Sequence, residues 1–347
     1  LRELDFYTET IERFPLDSIF FGGGTPSLFS PEDIGKIISR ILEVSPPSDS
    51  LEVSLEVNPK TADLEKLSGF RDVGVNRVSV GVQSFSERKL KLLGRINSPD
   101  DSRRVLEDIV KAGFDNFNLD LMFGVSFETL EEWGADLERA VEFGSSHISA
   151  YCLTIEDDTD FATLYSNGKL PLPDEDILTD MLTLTGNFLE DAGYKQYEIS
   201  NFAKPAFECR HNLLYWRGED YLGLGAGAHS HIDMIEESHW GIRWANLKNP
   251  DLYMKTVLGG RDPLAFTEFL SRDKAIEDKI LMGLRLGEGI NLTSFEERFG
   301  EKLYSERLRG LFEEGYVELS NDSLQLTKKG IPVSNELIVR VIDALGS

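Results

Sequence analysis

At 347 residues the chain has room for two domains, or for one barrel-sized domain with an appendage. A hydrophobic fraction of 41% excludes a disordered chain, and 36 basic against 61 acidic residues leave a net charge of −25, a field that repels phosphate backbones and anionic membrane surfaces. The two cysteines, Cys152 and Cys209, exclude a disulfide scaffold and a site needing three or four thiolates from this chain.

The chain opens at Leu1 inside a charged helical pattern, so an upstream segment is expected. The next 150 residues alternate short apolar runs with amphipathic stretches. Strands are expected at Ser18–Phe21, Leu51–Val57, Arg77–Val82, Asn116–Met122 and His147–Leu153, with helices such as Pro31–Leu42 and Pro99–Ala112 between them. Ser30 before Pro31 reads as a cap before an N1 proline, and Gly113 as a helix stop. Repeated β/α units predict an α/β fold with a parallel sheet curled into a partial (β/α)6 barrel. A helix leads straight into the first strand, so the first barrel strand is expected to be missing. A turn-rich stretch from Asn167 to Asp174 precedes a helix over Glu175–Ala192, and residues 193–265 show no clear period.

From about residue 275 the pattern changes. Helices are expected at Ala275–Leu286, Leu292–Phe299 and Tyr304–Glu314, followed by two short strands joined at Asn321–Asp322, which together predict an α+β winged-helix-like module. Its 13 acidic and 9 basic residues over 275–347 lack the basic face of a nucleic-acid reader, and favour a packing or lid module. The expected organisation is a barrel over 1–165, a linker region over 166–270 and the module over 271–347. No apolar run approaches the ~18 residues that a membrane span needs and no signal-peptide pattern appears, so the expected location is cytoplasmic.

In a parallel β/α barrel the chemistry lies where the strands end. The first strand ends in Gly22-Gly-Gly-Thr-Pro, where glycines let backbone groups approach a ligand and Thr25 adds a hydroxyl; the same run also reads as a plain tight turn. No Gly-Lys-Ser/Thr follows, which excludes a P-loop. Glu56 ends the second strand and offers an acceptor for an ammonium. Gln83 ends the third and brings an amide, Arg95 follows as a fork for a carboxylate, and Asp120 on the fourth accepts from a diol. Glu56, Arg95 and Asp120 together outline an amino-acid nucleoside. Further on, His211 is a candidate iron ligand, and Tyr215 and Trp216 present flat faces for a macrocycle. From the residues alone His211 and Asn212 read more simply as a buried polar pair; Cys209 is an alternative thiolate ligand, though Cys209 and Cys152 read more simply as small buried hydrophobes.

The segments Phe20-Phe-Gly-Gly-Gly-Thr-Pro-Ser, Leu55-Glu-Val-Asn-Pro, Arg77-Val-Ser-Val-Gly-Val-Gln-Ser-Phe and Asn118-Leu-Asp-Leu-Met-Phe-Gly stand in order at family-like separations. They resemble the radical S-adenosylmethionine (SAM) proteins of the oxygen-independent coproporphyrinogen III oxidase group, over nearly the whole chain. The resemblance implies that Gly23, Gly24, Thr25, Glu56, Gln83, Arg95 and Asp120 contact SAM. Cys209-Arg-His-Asn-Leu-Leu-Tyr-Trp and Tyr221-Leu-Gly-Leu-Gly-Ala-Gly-Ala-His-Ser resemble that group's heme chaperone branch, which implies heme at His211, Asn212, Tyr215 and Trp216 and an acceptor protein as partner. The alternative activity the resemblance implies is radical oxidative decarboxylation of coproporphyrinogen III, disfavoured for a tetra-anionic substrate by the −25 charge. The family's Cys-x-x-x-Cys-x-x-Cys loop, which holds a [4Fe-4S] cluster, does not occur in these residues. By resemblance it is expected upstream of Leu1, so that the full-length parent binds the cluster and this chain supplies no metal ligand for it.

Overall fold

The computed structural model describes residues 1–12, 15–157, 159–236 and 239–345. Two compact units emerge. One comprises Ser18–Ile38 and Leu51–Glu208, and the other Leu1–Asp17, Ser39–Ser50 and Cys209–Ser347.

From the N-terminus the elements are α1 (Leu4–Ile11), β1 (Leu16–Phe21), α2 (Pro31–Val44), β2 (Pro47–Val57), α3 (Leu64–Asp72), β3 (Arg77–Gln83), α4 (Glu87–Leu92), α5 (Pro99–Lys111), β4 (Phe117–Phe123), α6 (Leu130–Glu142) and β5 (His147–Cys152). After these come α7 (Asp160–Ser166), α8 (Glu175–Asp191), β6 (Lys195–Gln196) and β7 (Asn201–Ala203). All five expected strands form, within a few residues of their expected bounds. Helix starts follow local chemistry. Ser98 accepts from the Asp101 N–H while Asp101 accepts from the Ser98 N–H ahead of Pro99, and Thr129 and Glu132 repeat this capping box on α6.

The seven strands lie in the order β1-β2-β3-β4-β5-β7-β6, with β2 to β5 mutually parallel. The short β7 adds antiparallel to the β5 edge and β6 antiparallel to β7, from a region whose sequence shows no period. Leu55, Val78, Val80, Leu119, Leu121 and Ile148 are fully buried in the sheet, and Trp133, Leu106 and Ile109 cover it from α6 and α5. This is the expected α/β partial barrel.

The second unit contains α9 (Arg210–Arg217), β8 (His229–Glu236), β9 (His239–Asn246), α10 (Pro250–Leu258), β10 (Leu264–Phe269), α11 (Arg272–Gly283), β11 (Ile290–Asn291), α12 (Leu292–Phe299), α13 (Arg309–Glu313), β12 (Val317–Ser320), β13 (Ser323–Leu326) and α14 (Ser334–Leu345). The β10-β9-β8 sheet is antiparallel. The C-terminal part pairs the sheet β11-β13-β12 with α11, α12 and α14 around Ile280, Phe295, Leu311, Leu324 and Val341, which is the winged-helix-like arrangement expected. Its hairpin turns at Asn321 and Asp322, both left-handed at φ 49° and 62°, as a two-residue turn between twisted strands requires. β11 and α14 are additions to the sequence reading.

The N-terminal segment belongs to this second unit. Glu3 is buried and accepts from the Gly225 N–H at 2.7 Å, from Asn246 Nδ2 and from the Tyr253 hydroxyl. Among the described residues no helix is long and apolar enough to cross a membrane.

Candidate functional site

In the barrel unit the residues that end the strands gather at one rim. β1 runs into Gly22, Gly23 and Gly24; the last two adopt φ 75° and 63°, and nothing stands within 4 Å of where a Cβ would sit on either. That is a backbone cradle open to a ligand. Glu56, at the end of β2, accepts from the Gly23 N–H at 3.2 Å, so the glycine turn and the carboxylate share one place. Burial and the charge of Asp120 push the Glu56 carboxyl up, against the opposing Gly23 N–H.

Gln83 is the least ordinary of the set. It is nearly buried and left-handed at φ 66°, and the pairing register between β3 and β4 slips between Val80 and Gln83. A bulge at a strand end re-aims a side chain, and a non-glycine residue held at positive φ stores strain. Its side-chain amide makes no hydrogen bond among the described residues and remains able to donate and accept. Arg95 follows α4 on an exposed turn, and its guanidinium makes no ion pair among the described residues. Thr25 sits half-buried after the glycines.

Asp120 is anchored within a polar layer that the strand periodicity builds. Side chains of one face recur every second residue, so Ser79 on β3, Asn118 and Asp120 on β4, and His147, Ser149 and Tyr151 on β5 line the same face. Register places Ser79 beside Asn118 beside His147, and Asp120 beside Ser149 beside Asn201. Asp120 accepts from Ser79 Oγ at 3.1 Å and from Asn118 Nδ2 at 2.8 Å. Asn118 Oδ1 bonds to His147 Nδ1 at 2.7 Å, and His147 Nε2 bonds to the Tyr197 hydroxyl at 2.9 Å. Burial, then the Arg77 charge, holds His147 well below its ordinary value, so the ring is neutral with both nitrogens engaged. Burial raises the Asp120 carboxyl, with the Ser79 and Asn118 hydrogen bonds opposing. Tyr151 is raised by burial and by Asp120, so its phenol keeps its proton at neutral pH. Sequence reading passed over Ser79, Ser149 and Tyr151, although the polar alternation along β3 to β5 carries them.

The rim is tied underneath by a buried ion cluster. Lys89 of α4 contacts Glu128 and, at 2.8 Å, Asp136; Ser84 Oγ and the Phe85 N–H donate to Asp136 at 2.6 and 2.8 Å, and the Val125 N–H donates to Glu128 at 2.9 Å. The loops after β3 and β4 are thereby clamped beside Gln83.

The second group of candidate residues lies in the other unit, on α9. His211 and Tyr215, one helical turn apart, meet edge to face at 4.9 Å between ring centroids, and Tyr215 meets Tyr221 at 4.2 Å. Tyr221 leads on to His231 at 6.1 Å. Burial pushes the Tyr215 phenol up to about 12. Arg285 stands over the Trp216 ring at 5.6 Å, and His211, Asn212, Tyr215 and Trp216 are all half-buried. Cys209 is buried at the start of α9 and Cys152 ends β5 in the other unit. Among the described residues no group of three or more His, Cys, Asp and Glu side chains is placed to hold a metal ion.

Residues 2–140 match the model of the radical SAM superfamily, and residues 270–333 match the HemN C-terminal domain. The heme chaperone HemW of Haemophilus influenzae is 36% identical over 344 residues, covering 97% of this chain and 85% of that protein. The chain belongs to the radical SAM family of heme chaperone HemW proteins. HemW of Bacillus subtilis is 35% identical, covering 93% of this chain and 84% of the relative. Among solved structures, the Escherichia coli coproporphyrinogen III oxidase HemN, a radical SAM enzyme, superposes with a TM-score of 0.79 at 22% identity, covering 100% of this chain and 81% of that one. That likeness shows the fold.

Within this family a [4Fe-4S] cluster is the expected partner of SAM. The 347 residues do not fit the cluster: their two cysteines lie in different units, and one of them is buried. The strand-end residues do fit a nucleoside bearing an ammonium and a carboxylate, because the glycine cradle is open, Glu56 faces it and Arg95 makes no ion pair among the described residues.

Proposed function

We propose that the chain is the SAM- and heme-binding part of a heme chaperone that passes heme to an acceptor protein. The observation that carries this reading is the conjunction, in a chain of HemW kinship, of the open strand-end rim in one unit with the His211–Tyr215–Tyr221 aromatic run in the other. On this reading Gly23, Gly24 and Thr25 cradle SAM, Glu56 takes its ammonium, Arg95 its carboxylate, Asp120 its ribose hydroxyls, and Gln83 bonds to the body of the ligand. The SAM function lies in 1–165, the heme motif in 166–270 and the C-terminal module in 271–347.

His211 would hold heme iron through an imidazole nitrogen, with Tyr215 and Trp216 packed on the macrocycle and Asn212 orienting beside it. Heme supplies a coordination site that can be handed from one ligand to another. This chain's part is to bind, orient and shield it.

The test is a hemin titration of the chain and of its His211→Ala and Tyr215→Ala variants. Both substitutions are expected to shift or weaken the Soret band. An unchanged band in both would sink the assigned heme site. Conversion of coproporphyrinogen III to protoporphyrinogen, measured with these residues joined to a cluster-binding cysteine loop and loaded with the cluster, would favour the decarboxylating alternative.

A further inference from the structure

Beside Tyr215, and wholly within the second unit, lies a cavity of about 220 Å³. Its aromatic wall is formed by Tyr215, Tyr221 and His231, and Trp240 stacks on Phe299 across it at 5.6 Å. The charged residues of its lining show a consistent asymmetry. Arg217 is held by Glu288 through two bonds of 2.8 and 3.0 Å, Arg298 by both oxygens of Asp233, and Arg243 by Glu268 and Asp278 at 2.6 and 3.1 Å. Each arginine is neutralised on the spot.

Lys279 of α11 is the exception. Its ammonium donates to the Arg217 carbonyl oxygen at 2.8 Å, and no carboxylate among the described residues lies within 4.0 Å of it. Glu219 shares the rim but is exposed and lies beyond ion-pair reach. A half-buried ammonium with two unused protons, facing a cavity whose other cations are already paired, is a place for an anion. Burial, then the Arg298 charge, lowers the Lys279 ammonium against the more distant charges of Glu219, Asp233 and Glu288, and a carboxylate in direct contact offsets that lowering. The Tyr215 and Tyr221 phenols make no hydrogen bond among the described residues and can donate to the same group. The volume is below the roughly 300 Å³ at which drug-sized pockets begin, so the cavity takes the edge of a larger ligand.

We infer that this cavity receives a carboxylate carried on a flat conjugated body, with Lys279 as its counter-ion and the Tyr215–Tyr221 pair as the surface under that body. With heme as the ligand, this rests on the reading given under Proposed function, and the carboxylate is a propionate.

The test titrates the full chain, Lys279→Met and Lys279→Arg with hemin and with hemin dimethyl ester, whose propionates are masked. Lys279→Met is expected to weaken hemin at least about tenfold, to leave the ester unchanged and to keep the melting temperature, while Lys279→Arg retains hemin. Unaltered hemin affinity in Lys279→Met, or equal weakening of both compounds, overturns the inference while the heme reading stands. If the parent chain binds neither compound the heme reading fails, and the cavity is then read with pyrene-1-carboxylate against neutral pyrenemethanol by fluorescence anisotropy. Preference for the carboxylate that Lys279→Met abolishes supports the cavity assignment; no preference overturns it.

Discussion

Replacing Lys89 by Met removes the cation that pairs two carboxylates with almost no access to water. The Lys89 and Glu128 side chains are 0% exposed and Asp136 is 4% exposed. Methionine fills nearly the same volume, so the loss is electrostatic, with the 5.2 Å approach of the ammonium to the Trp133 ring lost as well. The remaining donors, Ser84 Oγ and the Phe85 and Val125 N–H groups, cannot compensate two negative charges held together. Breaking a buried pair in this way costs about 3–5 kcal/mol, which lowers a melting temperature by roughly 5–15 °C. The assay is thermal unfolding of parent and variant from pH 5 to pH 8. Glu128 already sits above its ordinary value in the parent, with burial as the main cause and Lys89 opposing. Loss of Lys89 raises it further. A carboxyl raised by folding contributes stability below its unfolded value and loses it as pH rises through the folded one, so the Met variant recovers toward the parent on acidification. Lys89→Met combined with Glu128→Gln and Asp136→Asn is expected to regain most of the loss. A deficit below about 1 kcal/mol, or one independent of pH, would refute the view that this cluster clamps the rim.

Gln83 offers a separable measurement. Gln83→Gly and Gln83→Ala lose the same amide, but only glycine relieves the left-handed backbone, so the Gly variant is expected to be the more stable by about 1 kcal/mol, with both binding SAM poorly in calorimetric titration. Equal stabilities would show that φ 66° carries no strain there. His147 is held neutral by the fold, so it contributes stability above its unfolded value of 6.5, which is lost as pH falls through that value. His147→Gln is expected to flatten the fall in melting temperature between pH 7 and pH 5, and parallel profiles for parent and variant would exclude the histidine as its source.

Much of the barrel was legible because its signals are local. Pro31 and Pro99 mark helix starts within a few residues of sequence, and the apolar runs of β2 to β5 are buried whichever neighbours they find. The strand-end rule brought Gly23, Glu56, Gln83 and Asp120 to one rim for the same reason. What stayed hidden depends on pairing at a distance. β7 is three residues long and is a strand only because β5 offers an open edge. Lys279 has no sequence mark at all; it stands out only when the three arginines around it are seen to be paired. Arg95 is placed on an exposed turn by the structure, and its readiness for a carboxylate lies in the absence of a competing ion-pair partner among the described residues.

The burial of Glu3 against Gly225, Asn246 and Tyr253 sets an order on how the chain acquires its structure. The second unit draws on residues at both ends of the chain, while Leu51–Glu208 of the first is continuous. During synthesis the barrel strands can pair as they emerge, but Glu3, just before α1, must wait with its carboxylate in water until more than two hundred further residues have been made. Long-range closure of this kind is slow and leaves apolar surface exposed in the interval. Glu3 is well suited to that wait, since its charge keeps the unpaired segment solvated until the three donors arrive together.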